Sequence, residues 1–284
     1  MTDDLIQHIK SSMPFLSKSQ RAIGNYICDH YNKAAYLTAA KLGNQVGVSE
    51  STVVRFAIEM GYDGYPSLKQ ALRELIRTRL TAIQRVEITN DRIGSADVLE
   101  NVLNSDIDKI KETLDEINRA DFDRAVDMIL TAHTVYVTGA RTSSSLASFL
   151  SSGLSLICAN IRLVVSGVNE ISEQLIHAAG GDVVIAISFP RYSKRIIDAV
   201  GNARRSGAQI IALTDSSVSP IARYAAVLLT AKSDMASFVD SLVAPLSIIN
   251  ALIVAISRKK RNELEDIFAR LEAVWQENDM YDRN

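Results

Sequence analysis

The chain has 284 residues, with 31 Lys and Arg against 33 Asp and Glu and a formal net charge of −2. That length exceeds the common size of a single domain and predicts two. The near balance of charge excludes a uniformly basic nucleic-acid coat and confines any such contact to a local surface. The two cysteines, Cys28 and Cys158, are read as buried free thiols inside helices, not as disulfide or metal ligands. No apolar run reaches the ~18 residues that span a bilayer, and MTDDLIQHIK lacks a signal-peptide layout. A cytoplasmic chain without a membrane partner is expected.

The first element follows Ser17. Ser17 with Gln20 three residues on forms a capping box, and Ala22, Ile23, Tyr26 and Ile27 supply a core face. A short helix is predicted next over 37–47, with Leu37, Ala40, Leu42 and Val46 inward and Gly47 as a left-handed stop. Ser49 then caps a second helix whose stripe is Val53, Phe56, Ala57 and Met60, ended by Gly61. Two short helices joined this way form a helix-turn-helix, and the second belongs in a DNA major groove. Its outward residues include Ser51, Thr52 and Arg55, in the half that meets base edges. Arg55 suits a guanine edge or a phosphate, and the sequence does not choose. A helical hairpin packing on a partner protein is the competing reading.

The turn 61–66 leads into a further helix over 67–79 with Leu68, Leu72, Leu75 and Ile76 on one face. Lys69 and Arg73 on it read equally well as phosphate contacts or as ordinary solvated charges. Residues 1–80 carry ten Lys and Arg against seven Asp and Glu, so a basic head sits on an acidic body.

Residues 81–104 lose periodicity, with a break at Gly94-Ser95, and are expected to be a linker. Helical spacing returns over 106–118 and 121–130. From Thr134 the pattern changes to short apolar runs, 135–137, 161–165, 183–187, 210–213 and 226–230, each separated by helical stretches. Runs without alternation predict strands buried on both faces, hence a doubly wound parallel α/β sheet of five strands. The fold class expected is therefore an all-helical head (1–80) followed by an α/β domain (105–258) and a helical tail (259–284).

Ligands of such sheets bind beyond the strands' carboxyl ends, where the winding reverses. Two loops there are rich in hydroxyls. The first runs through Gly139, Arg141 and Ser143, the other through Ser188, Arg191 and Ser193. Each lies at a helix N-terminus, where the dipole and free N–H groups favour an anion, and each adds an arginine able to grip two phosphate oxygens. The competing reading makes the serines helix caps only. No catalytic residue, metal ligand or cofactor is expected. Glu173 and His177, four apart on one predicted helix, are the weak exception, as an acid/base pair for sugar isomerisation.

Two stretches now carry a family resemblance. GVSESTVVRF with GYDGYPSLK resembles the helix-turn-helix domain of the RpiR family of bacterial transcriptional regulators. VYVTGARTSSSLA, GGDVVIAISFPRYSKRIIDAV and GAQIIALTDSSVSPIA resemble the sugar isomerase (SIS) domain that follows it in that family. The resemblance implies a homodimeric or homotetrameric regulator, not an enzyme, that binds double-stranded DNA at a palindromic operator. It also implies a phosphorylated sugar or small anionic metabolite as effector, with Ser143, Ser188 and Ser193 at the phosphate. The loop departs from S-x-S-G-x-T, for Pro190 replaces a hydroxyl and Arg191 a glycine, and Arg141 stands where a second glycine is common. These changes remove a hydroxyl or phosphate-hugging backbone and add two cations, which leaves a carboxylate-bearing ligand open. The apolar run 238–256 is expected either at a subunit interface or as a central helix. The rival functional reading is a sugar-phosphate isomerase with an accessory helical domain.

Overall fold

The computed structural model describes residues 4–79, 81–93, 97–167, 169–233 and 238–278. The chain divides into two compact units, 1–96 with 235–239, and 97–234 with 240–284.

The first unit is helical: α1 Asp4–Ser12, α2 Lys18–Ala34, α3 Ala39–Val46, α4 Glu50–Glu59, α5 Tyr65–Arg79 and α6 Ala82–Ile93. The capping box of α2 forms as the spacing requires, Gln20 N–H donating to Ser17 Oγ at 3.3 Å and Ser17 N–H to Gln20 Oε1 at 3.1 Å. Gly47 closes α3 with φ 77°, a left-handed corner that costs glycine nothing. The helices bury Ile23, Ile27, Leu42, Phe56, Leu68 and Leu72 together, each removal from water contributing about 1.5–3 kcal/mol. Within α3 it is Ala39 and not Ala40 that turns inward, while Leu42 and Val46 face the core as their spacing suggested. The side chain of Ile76 and the break at Gly94-Ser95 lie outside the described residues.

The stretch expected as a linker is mostly helical. Thr81 Oγ1 accepts from Gln84 N–H at 3.3 Å at the start of α6, and Asp97 caps α7 (Val98–Glu116) through Glu100 N–H at 3.2 Å. Polar caps at both places start helices that weak apolar periodicity concealed.

The second unit continues with α8 Arg119–Thr131, β1 Val135–Gly139, α9 Thr142–Ser155, β2 Ile161–Val164 and α10 Ile171–Gln174. After these come β3 Val183–Ile187, α11 Lys194–Arg205, β4 Gln209–Thr214, β5 Val227–Thr230, α12 Val243–Lys259 and α13 Arg261–Glu277. All five strands pair in parallel in the order β2-β1-β3-β4-β5. One face of the sheet packs Val137, Ile185 and Leu213 with α8, α9 and α12; the other packs Val184, Ala186 and Ala212 with α10 and α11. The fold is thus a helical head and a doubly wound parallel α/β sheet of five strands. β2 differs from expectation, for as an edge strand it leaves Arg162 and Leu163 exposed. Cys158 lies in the turn after α9, not in a helix, and is buried, whereas Cys28 is only partly covered; burial pushes both thiols up.

Candidate DNA-contact helix and effector site

In the head, α3 and α4 are joined by residues 47–49. Gly43 makes the join tight: a Cβ there would lie 2.7 Å from the Val48 carbonyl oxygen, and Val48 N–H donates to Gly43 O at 2.8 Å. Ser49 caps α4 by accepting from Thr52 N–H at 3.3 Å, and its hydroxyl lies 2.9 Å from Ser51 Oγ and 2.8 Å from Thr52 Oγ1. Three hydroxyls therefore cluster at the positive end of α4. Val53, Phe56, Ala57 and Met60 are buried as their spacing requires, while Ser51 and Arg55 are exposed and Thr52 half-buried. Arg55 Nε donates to Ser51 O at 3.4 Å, which lays the side chain back toward the helix start.

Lys69 and Arg73 are placed differently. Arg73 Nε donates to Ala35 O at 3.3 Å and the guanidinium lies 5.7 Å from the Tyr36 ring, so this residue braces α5 against the end of α2. Partial burial, with the neighbouring Arg73 charge, pulls the Lys69 ammonium below its usual range. Sequence reasoning missed Tyr65, read only as part of a turn. It is buried, its hydroxyl donating to Ala34 O and Leu37 O, each at 3.2 Å, and burial pushes its phenol up to about 12. An aromatic beside Pro66 carries no local signal of such a distant partner.

In the second unit the order β2-β1-β3 reverses the winding between β1 and β3, and Gly139 of β1 pairs with Ile187 of β3. The two hydroxyl-bearing loops thus leave adjacent strands at the switch point. Arg141 is the residue before α9, with φ 58° and ψ −128°, a conformation strained for any residue with a Cβ. Ser143 and Ser188 are 4 % and 3 % exposed, and neither hydroxyl bonds to a described residue. Ser193, at the N-cap of α11, makes no side-chain capping bond. Capping therefore accounts for none of the three serines. The guanidinia of Arg141, exposed, and Arg191, half-buried, likewise have no partner among the described residues. Hydroxyls and guanidinia left without protein partners at one sheet edge are suited to donating to the acceptor oxygens of a ligand.

Two neighbouring groups went unremarked in the sequence. Tyr192 O–H donates to Asp215 Oδ1 at 2.8 Å, tying the loop after β3 to the end of β4. Thr138 Oγ1 near the end of β1 is buried without a hydrogen-bond partner among the described residues. The pair Glu173 and His177 does not form on one helix: α10 ends at Gln174, and Glu173 instead accepts from Glu170 N–H at 3.1 Å.

A helix-turn-helix head and a parallel α/β unit with an anion-suited switch point define a two-unit protein of the regulator class. Residues 4–78 match the helix-turn-helix domain of the rpiR family, and residues 128–255 match the SIS domain. The chain belongs to the RpiR family of transcriptional regulators. It is similar to the HTH-type transcriptional regulator HexR of Escherichia coli, 24% identical over 97% of this chain and 95% of that protein. The sugar isomerase domain of an RpiR transcription factor from Sphaerobacter thermophilus is 27% identical, with a TM-score of 0.58 over 61% of this chain and 97% of that one. The Vibrio vulnificus NanR protein, solved with ManNAc-6P, shares the fold at 22% identity and a TM-score of 0.59, covering 95% of this chain and 97% of that one. Among the described residues no helix is long and apolar enough to cross a membrane.

Proposed function

We propose that this protein is a metabolite-responsive transcriptional regulator. In this reading the head binds duplex DNA through α4, with Ser51, Thr52 and Arg55 at base edges or phosphates and Ser49 holding the helix start. Lys69 and Arg73 flank them as phosphate contacts in the same reading, though the bond from Arg73 to Ala35 makes it first a brace. The switch-point loops, through Gly139, Arg141, Ser143, Ser188, Arg191 and Ser193, hold the anionic group of a phosphorylated sugar or a related acid. The observation that carries this is that Ser143 and Ser188, residues only 4 % and 3 % exposed, carry hydroxyls that bond to nothing described. That NanR is solved with a sugar phosphate agrees with it. The protein acts as a sensor, not as an isomerase: the one acid/base pair its sequence offered is used in a helix cap and an exposed turn.

In this reading a homodimer presents two copies of α4 about one turn of DNA apart, and a palindromic operator matches that symmetry. On α7 the residues Leu99, Leu103, Ile107, Ile110 and Leu114 are exposed at three- and four-residue spacing, with Val254 exposed on the neighbouring α12. So much apolar surface on one side exceeds what a monomer usually leaves open, and a second copy would cover it. α12 itself buries Ile248, Ile249, Leu252 and Ile256 against the sheet, so it is a central helix on one side and available to an interface only on the other.

The test is thermal denaturation of the full chain with a panel of sugar phosphates and small organic acids, a bound ligand raising the midpoint with concentration. The double substitution Ser143→Ala, Ser188→Ala is expected to abolish the shift and leave the unliganded midpoint unchanged or higher. An unchanged shift, or no shift with any member of the panel, counts against the site.

A further inference from the structure

We infer that Tyr192 and Asp215 form a latch that positions the loop after β3 for anion binding; this rests on the effector-site reading above. The loop spans Ser188 to Ser193 between β3 and α11. Its near end is fixed by Ser188 N–H donating to Leu213 O at 3.1 Å and by Phe189, buried in the core on the α9 side of the sheet. Its far end is fixed by Tyr192, whose hydroxyl donates to Asp215 Oδ1 at 2.8 Å. Asp215 is itself buried at the end of β4, and Thr214 Oγ1 donates to the same oxygen at 3.1 Å. Only Pro190 and Arg191 lie between the two anchors. Arg191 and Ser193, the cation and hydroxyl assigned to the ligand, are the immediate neighbours of the latched tyrosine.

The physical consequence is preorganisation. A loop held at both ends loses little freedom when an anion arrives, whereas a loop held at one end must be ordered by the ligand at the expense of affinity. Tyr192 and Asp215 are therefore positioning residues. Neither contacts the ligand, and both act through Arg191 and Ser193. Asp215 works here as a neutraliser of nothing on the ligand; what matters is an acceptor oxygen at the right place. An amide oxygen would serve as well, which separates the latch from a charge effect.

The experiment is calorimetric titration of the full chain with inorganic phosphate at a temperature where every variant is folded by circular dichroism. Tyr192→Phe is expected to weaken phosphate binding about three- to tenfold, the range of a single net hydrogen bond. Asp215→Asn, which keeps an acceptor, is expected to stay within about twofold of the parent on the same grounds. In an Arg191→Ala, Ser193→Ala background the Tyr192→Phe effect is expected to vanish, a coupling that a merely structural role would not produce. Unchanged binding by Tyr192→Phe, or an effect that persists in that background, overturns the latch alone. If the parent chain binds no phosphate, the phosphate reading of the site falls and the latch with it.

Discussion

Gly139 and Ser143 stand so close that a Cβ on the glycine would lie 2.5 Å from the serine's carbonyl oxygen. The contact is backbone against backbone, so no rotamer change relieves it. It brings the start of α9 down onto the end of β1 and sets the Ser143 hydroxyl at the switch point. Gly139→Ala is expected to destabilise the second unit by about 1–3 kcal/mol, as overpacking does, and to remove the ligand-induced thermal shift. Urea unfolding with and without ligand measures both; a variant of parental stability that still binds would show that the loop accommodates the methyl group.

Arg141 presents the opposite balance. Its φ of 58° with ψ of −128° suits glycine and costs a residue with a side chain about 1–3 kcal/mol. Arg141→Gly is therefore expected to raise the unfolding midpoint while weakening the binding of phosphate or sugar phosphates. Gain of stability with loss of binding is a signature that structural damage does not mimic. A variant that is less stable than the parent contradicts the strain.

Arg55 is exposed and, among the described residues, hydrogen-bonds only to Ser51 O of its own helix. Arg55→Ala should leave the circular dichroism spectrum and melting temperature alone and cost about 1–3 kcal/mol of DNA affinity. The slope of affinity against salt tells a phosphate contact, which lowers it by about one, from a base contact, which changes sequence preference instead. Parental affinity at every salt concentration would remove α4 from the groove.

Tyr65 gives the head a pH limit. Its folded-state value of about 12 lies above the ordinary 10, so the neutral phenol is favoured in the folded protein. The contribution is complete below pH 10 and is lost as pH rises through 10 toward 12, where the unfolded chain has already given up its proton. Tyr65→Phe is expected to flatten this alkaline decline, while costing about 0.5–1.5 kcal/mol at neutral pH for the bonds to Ala34 and Leu37. Denaturant midpoints between pH 8 and 12 test it, and an identical decline in the variant would assign the limit to other groups.

Local chemistry made much of this molecule legible from its residues alone. The capping box of Ser17 and Gln20, the cap at Ser49, the left-handed Gly47 and the buried stripe of α4 all depend on groups within four residues of one another, so spacing suffices to find them. The central strands β1, β3 and β4 were equally plain, because strands covered on both faces must be apolar without interruption, whereas edge strand β2 carries Arg162 and is exposed there. The segment 81–104 was not, since its helices are set by polar caps and not by an apolar stripe.

What distant parts of the chain settle together could only be seen once it was folded. Strand order placed the loops after β1 and β3 side by side, and a parallel sheet's order depends on crossovers that leave no mark in any single strand. The same holds for Tyr65 bonded 31 and 28 residues away, and for Tyr192 held by Asp215 across 23 residues. Residue type at the switch point was fixed by sequence; that Ser143 and Ser188 are buried yet unpaired was decided by packing. A hydroxyl has the same chemistry in a cap and in a ligand cradle, and only its three-dimensional neighbours distinguish the two.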